Sequence, residues 1–468
     1  MRVRAVKGIM VCLIPGLLGS CASVGMQAPP DNGTSPLPEL LGVQPPAGPS
    51  TGGRVITVQG HNFPKDAVVK FNDVIATDIR VISEAEITVT LPPSAGKVGK
   101  AVVSVIVSDG RSATNSNMFA YYYGKLDFPV QTQLRTGSVP RGLALKDVNG
   151  DGLADLLTAN GGESSVSLFM GQQGGNFAGE VKIPVPAGLS TLNVSDINAD
   201  SRPDLIVASD ANNTVYTLLN SGGSPPFSSF AATTVGQGPV AIALGDFDSD
   251  SKPDAAVANQ VASSVSVLIN NGSGAWTPTG TLAGPVLPFG VASGDVNGDG
   301  KVDLAVCGYQ ASVVQLLLNS GSNQFTMGPT LNVGTSPRGV SLTDLNGDGL
   351  MDVQAISETG GVSVLLGRTG GTFSDARSYS TGAFPLALLV QDINGDGMVD
   401  LVVASGGGRA ISILPGQGDG TFADAQTIDV GVVPSSIDLS DINGDGKLDI
   451  AVSSSANGMA YVLMNKSE

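Results

Sequence analysis

From about residue 140 onward, short apolar runs recur between polar turns, among them DLIVAS, LAVCGY, LVVASG, SVSVLINN and VVQLLLNS. They are rich in β-branched side chains and bounded by Gly, Asn and Ser, the pattern of buried strands. No long stretch sustains the 3.6-residue apolar period of a helix. Residues 37 to about 123 read differently. RVITVQGHNF, AVVKFNDVIATDIRVISEAEITVTLPP and KAVVSVIVSDG alternate apolar and polar positions with turn signals between. That alternation suits a small antiparallel sandwich with one wet face on each sheet.

The apolar pattern also repeats on a long period. A nine-residue motif occurs seven times, as DVNGDGLAD, DINADSRPD, DFDSDSKPD, DVNGDGKVD, DLNGDGLMD, DINGDGMVD and DINGDGKLD. Its first aspartates are Asp147, Asp196, Asp246, Asp295, Asp344, Asp392 and Asp441, at steps of 48 to 50 residues. An aromatic stands 19 residues before each of them: Phe128, Phe177, Phe227, Trp276, Phe325, Phe373 and Phe422. Each unit holds four strand patterns, one of them around the aromatic. Four strands in about 49 residues fit one propeller blade better than a solenoid coil. The chain ends at Glu468 without the aromatic strand expected next and carries a spare one, KLDFPVQTQLRTG, before the first motif. Residues 125–136 are therefore expected to complete the last blade. The fold class expected is all-β, a seven-bladed β-propeller over 125–468 preceded by a small immunoglobulin-like β-sandwich over 37–124.

Within the motif, positions 1, 3, 5 and 9 carry oxygen side chains. These are Asp147, Asn149, Asp151, Asp155; Asp196, Asn198, Asp200, Asp204; Asp246, Asp248, Asp250, Asp254; and Asp295, Asn297, Asp299, Asp303. The last three sets are Asp344, Asn346, Asp348, Asp352; Asp392, Asn394, Asp396, Asp400; and Asp441, Asn443, Asp445, Asp449. Alternate spacing turns such side chains to one side of a tight loop. Two carboxylates about 4 Å apart repel by roughly 4 kcal/mol at an effective dielectric of 20, so several need a cation or protons. Oxygen-only donors suit Ca²⁺, with Mg²⁺ second and zinc, copper and iron disfavoured. An Asx-turn without metal explains one such loop but poorly explains seven in register. Up to seven structural Ca²⁺ are expected, and they would bring the formal net charge of −17 to −3. Loops two and three place Ala199 and Ser249 at position 4, and Ser201 and Ser251 at position 6, where the others have Gly. A positive φ strains a non-glycine residue there, and weaker binding is expected in these two.

The start of the chain is an address. MRVRAVKGIMVCLIPGLLGSC has three basic residues, then eleven apolar-leaning residues from Gly8 to Leu18, too few to span a bilayer. The exit Leu18-Gly19-Ser20-Cys21 resembles the lipobox of bacterial lipoproteins. That resemblance implies cleavage after residue 20, acylation of Cys21 and an exported, membrane-anchored protein. With Ala22 rather than Asp next, it implies the outer membrane or cell surface. Residues 21–36 read as a Pro- and Ser-containing disordered tether. Cys12 falls in the leader, and Cys307 in LAVCG reads as a buried apolar residue.

Two further resemblances organise the rest. The run PPAGPSTGGRVITVQGHNF, with ITVTLPP and AVVSVIVSDG, resembles the IPT/TIG domain, which implies a spacer or binding module. The repeats resemble the FG-GAP/VCBS repeats of integrin α-subunit propellers. That resemblance implies calcium loops between the first and second strands of each blade, with ligands met on the opposite face. On that face the sequence offers Arg141, Phe289, Tyr309, Arg338 and Phe384.

Charge and composition narrow the function. A net charge of −17 leaves no basic stripe for nucleic acid. His61 is the only histidine, so a His-based zinc site or triad is not expected. No nucleophile elbow or carboxylate pair stands outside the acidic loops. The reading is a calcium-stabilised, lipid-anchored binding or adhesion protein for an extracellular protein or glycan. The alternative is a polysaccharide lyase or hydrolase on the same scaffold, and a purely structural envelope component ranks third.

Overall fold

The computed structural model describes residues 36–95 and 97–467, and among these every regular element is a strand. The leader, Cys12, Cys21 and residues 21–35 of the expected tether lie outside the described residues.

The first region is a two-sheet sandwich. Glu39–Gln44, Val55–His61, Glu86–Thr90 and Thr77–Ser83 form one sheet in that order. Ala47–Pro49, Ser112–Tyr122, Gly99–Ile106, Val68–Phe71 and Val74–Ile75 form the other. Alternation places Ile56, Val58, Ile87 and Val89 of the first sheet against Val69, Phe71, Val103, Val105 and Phe119 of the second. Phe71 and Phe119 meet edge to face at 4.8 Å. His61 ends its strand exposed to solvent.

Seven four-stranded antiparallel sheets follow, numbered here by the motif each contains. Sheet three is typical: Pro239–Gly245, Asp254–Asn259, Ser264–Asn270 and Trp276–Ala283, in chain order. The second strand of every sheet begins at the ninth motif residue and is buried at all six positions. Such a strand is covered on both faces, which is why, after its opening Asp, it reads as mostly apolar and small residues. Successive sheets share hydrophobic clusters: Leu157 meets Leu205, Ala258 lies with Val306, and Val403 with Ile356.

Sheet seven takes its outer strand from the front of the region. Val130–Arg135 pairs antiparallel with Met459–Leu463, from Val130 opposite Leu463 to Arg135 opposite Met459. Sheets seven and one also pack together, with Leu143 and Leu156 beside Ala451 and Val462. Two bonds cross the same seam: the Leu145 amide donates to Asp438 Oδ2 at 2.8 Å, and Ser435 Oγ donates to the Pro140 carbonyl at 2.8 Å.

The aromatic ladder needs one correction. Trp276 and Phe325 open fourth strands, but Phe177 and Phe373 lie in two-residue hairpins ahead of them. Phe128, Phe227 and Phe422 stand outside any named strand. The ring, not the backbone, carries the role. It wedges against the preceding sheet, as when Phe325 meets Phe247 at 5.6 Å and Trp276 Nε1 donates to Thr217 Oγ1 at 2.6 Å.

A second feature divides six of the sheets into two kinds, while in sheet seven the Asn465 side chain donates to its own loop at the Leu448 carbonyl, 3.1 Å away. The backbone N–H just beyond or at the end of the third strand always donates to the ninth motif aspartate. In sheets two, three and four that residue is Asn220, Asn270 or Asn319. Its side chain donates to the preceding sheet's loop, at Val148, Ile197 or Phe247 carbonyls, over 2.6 to 2.8 Å. In sheets one, five and six it is Gly171, Gly367 or Gly416. A Cβ there would stand 2.1 to 2.5 Å from a backbone carbonyl, so no side chain fits.

Candidate functional site

The acidic loops join first and second strands, all at one end of the sheets. Loop one shows how they are built. Asp147 Oδ1 accepts from the Gly150 amide at 2.7 Å and Oδ2 from the Gly152 amide at 2.7 Å. Asn149 Oδ1 accepts from the Asp151 amide and Asp151 Oδ1 from the Leu153 amide, both at 2.8 Å. Asp155, fully buried, joins two elements: Oδ2 accepts from Val148 at 2.9 Å and Oδ1 from Gly171 at 2.7 Å. The turns need left-handed backbone at positions 4 and 6, where Gly150 and Gly152 have φ of 77° and 84°. Ala199, Ser201, Ser249 and Ser251 hold the same conformation, at 60° to 68°, with side chains that resist it.

Charge inside these loops is poorly offset. Burial raises the ninth aspartate above the ordinary carboxylate range, and repulsion from the loop's other carboxylates adds to it. Asp254 and Asp303 are pushed up to about 6. In loop three, carboxylate oxygens of Asp246, Asp248 and Asp254 lie within 4.8 Å of one another. The other loops have Asn at the third position, so their third oxygen is an amide. The donor set is hard and all-oxygen, which fits Ca²⁺.

The residue at position 7 carries a signal that the spacing of the oxygen side chains does not. In loops two, three and four it is Arg202, Lys252 or Lys301, and each turns back on its own fifth-position carboxylate. Arg202 reaches Asp200 at 2.5 Å, Lys301 reaches Asp299 at 3.6 Å, and Lys252 bonds Asp250. Loops one, five and six have Leu153, Leu350 and Met398 there and no such cation. In loop seven Lys447 donates instead to the Ser467 carbonyl at 2.8 Å.

At the other end of the first strands lies a cavity of about 290 Å³ between several sheets, lined by Arg141, Ser190, Phe289, Arg338 and Ser435 among others. Of the five sequence candidates for this end, three form one cluster. The Arg338 guanidinium stacks 5.1 Å from the Phe289 ring centre and 5.4 Å from that of Tyr309. The two rings are 5.0 Å apart. Glu358, which sequence reasoning did not single out, holds the cluster's edge. It accepts from Arg338 Nη2 at 3.2 Å and from the Tyr309 hydroxyl. Those two contacts, the hydroxyl first, keep its carboxyl below the ordinary range. Arg338 Nε is buried without a partner. Arg141 lines the same cavity but pairs with Asp210 at 2.6 Å. Phe384 is half exposed and is not among the cavity's lining residues. Cys307 is fully buried and its thiol is pushed up to about 12 by burial, which leaves it unreactive.

Comparison with known proteins agrees with this layout. The model of the IPT/TIG domain matches residues 38–123. The model of the FG-GAP-like repeat matches six overlapping segments that together run from residue 147 to residue 452. No curated protein matches the chain in sequence. Among solved structures, BBS1N in complex with ARL6DN is similar at a TM-score of 0.53 and 12% identity, over 73% of this chain and 97% of that one. A streptogramin B lyase is similar at 0.50 and 15%, over 73% and 98%. An auxiliary nutrient binding protein from Bacteroides ovatus gives 0.40 and 12%, over 92% and 99%. At such identities the first two likenesses speak for the fold alone, and the third carries no argument.

Proposed function

The chain belongs to the FG-GAP-like repeat family, and from that premise we propose that it is a calcium-stabilised surface protein that binds an extracellular protein or glycan. The seven sheets are blades of one closed β-propeller, with Val130–Arg135 completing the last blade. Calcium in the acidic loops offsets carboxylates that the fold gathers and partly buries. Acylated Cys21 anchors the protein in the outer membrane or at the cell surface, with the sandwich between anchor and propeller.

The observation that carries the binding reading is the Arg338 cluster. A guanidinium stacked on two rings and tied to Glu358 is fixed before any ligand arrives, which lowers the ordering cost of recognition. Aromatic faces and a planar donor fork suit sugar rings and peptide carbonyls alike.

The test is a glycan and extracellular-protein array probed with the calcium-loaded chain, with Arg338→Ala and Phe289→Ala beside it. The reading predicts a ligand whose signal both variants lose. If every signal survives both substitutions, ligand binding at this cluster is wrong.

A further inference from the structure

Loop six differs from the other six in being covered. Asn394 and Asp396 are 1% and 3% exposed, whereas Asn149 and Asp151 of loop one and Asp348 of loop five are open to solvent. The cover is the IPT/TIG domain. The Tyr123 amide, just past that domain's last strand, donates to the Asn394 carbonyl at 3.1 Å. Val98 sits over Gly395, where an added Cβ would stand 2.8 Å from Val98 Cγ2. The Tyr123 ring lies 4.7 Å from the Lys447 ammonium of loop seven. Tyr123 thus touches both loop six, through its amide, and loop seven, through its ring.

The bonding within loop six also differs from that of its neighbours. In loops one, two, five and seven the third-position amide donates to the fifth-position carboxylate, at 2.9 to 3.1 Å. In loop six it turns away, and Asn394 Nδ2 donates to Asp400 Oδ1 at 3.1 Å. Asp396 thereby loses that partner. Among the described residues, no lysine or arginine pairs with Asp392, Asp396 or Asp400. What the cover adds is burial of Asp396 beside Asp392 and Asp400 with no cation bonded to it, which is costly. Arg54 lines the cavity of about 440 Å³ beside Asp396, but it bonds the Ala47 carbonyl and the Tyr122 hydroxyl.

We propose that calcium in loop six and docking of the IPT/TIG domain on the propeller form one linked equilibrium. The occupied loop carries little net charge and accepts the cover; the stripped loop repels itself open and releases the domain. The inference rests on the calcium reading above. Linkage makes it reciprocal: whatever loosens the cover must also weaken one calcium site by the same factor.

Hydrogen exchange of the chain lacking its leader, read beside its bound calcium by elemental mass spectrometry, tests this. Chelation should speed exchange about tenfold at both 119–124 and 391–400, within the usual range of such couplings, and leave Val55–His61 protected. Asp396→Ala should release 119–124 even in calcium, while Asp348→Ala in loop five should not. Val98→Asp, which alters the cover and not the loop, should make one bound calcium about tenfold easier to strip. If calcium is bound, yet chelation and Asp396→Ala leave 119–124 unchanged, this inference is overturned and the calcium reading stands. If no calcium is bound at all, both are overturned.

Discussion

At the scale of single residues, the loops combine two jobs that the sequence does not separate. Asp147, Asn149 and Asp151 point their oxygens into a turn, and the alternate spacing of Asp and Asn was enough to read that. Asp155 is also a structural bracket, accepting from Val148 and Gly171 across two elements, which spacing alone cannot reveal because Gly171 is 16 residues away. Asp155→Ala would leave two buried amides unpaired and should cost about 3 kcal/mol in calcium-free chemical unfolding, and more in calcium, whose ligand set it also breaks. Backbone strain is testable in the same way. Ser251 is held at φ 68°, so Ser251→Gly should stabilise the protein by about 0.5–1 kcal/mol. A calcium titration should resolve five tighter sites and two weaker ones. The weaker are loops two and three, where strained residues coincide with Arg202 and Lys252 already bonded to Asp200 and Asp250. Seven equal sites would contradict that account.

At the scale of elements, the strands were legible because their burial is written in their composition. DLIVAS and DAAVAN are covered on both faces and contain almost nothing but apolar and small residues. The aromatic positions were legible as a ladder but not as structure. A ring that plugs the gap between sheets has the same spacing whether or not its backbone joins a strand. Least legible was the division between Asn220, Asn270 and Asn319 on one side and Gly171, Gly367 and Gly416 on the other. An Asn or a Gly after a strand usually means only a turn. Here Asn270 reaches the preceding sheet at Ile197, so Asn270→Ala should cost about 1–3 kcal/mol and lower the melting temperature. Gly416→Ala should be worse, because its Cβ would meet the Val399 carbonyl at 2.1 Å.

At the scale of the whole molecule, an acidic chain brings many of its carboxylates together at one end of its sheets. The contact between loop six and the IPT/TIG domain was hidden from sequence, since Val98 and Tyr123 lie about 300 residues from Gly395. Gathered charge has a consequence in pH. Asp396 is pushed up to about 7 by burial, and Asp254 and Asp303 to about 6, against an ordinary 3.8. A carboxyl with a higher pKa folded than unfolded takes up a proton on folding. The chelated protein should therefore gain stability as pH falls from about 7 toward 4, and the gain should be gone above 7. Calcium competes with those protons and should flatten the profile. The most direct test of the central claim is the melting temperature of the chain in millimolar calcium and in EDTA, measured beside its bound calcium. The account predicts bound calcium and a clearly lower melting point after chelation. Equal melting points with no bound ion would contradict it.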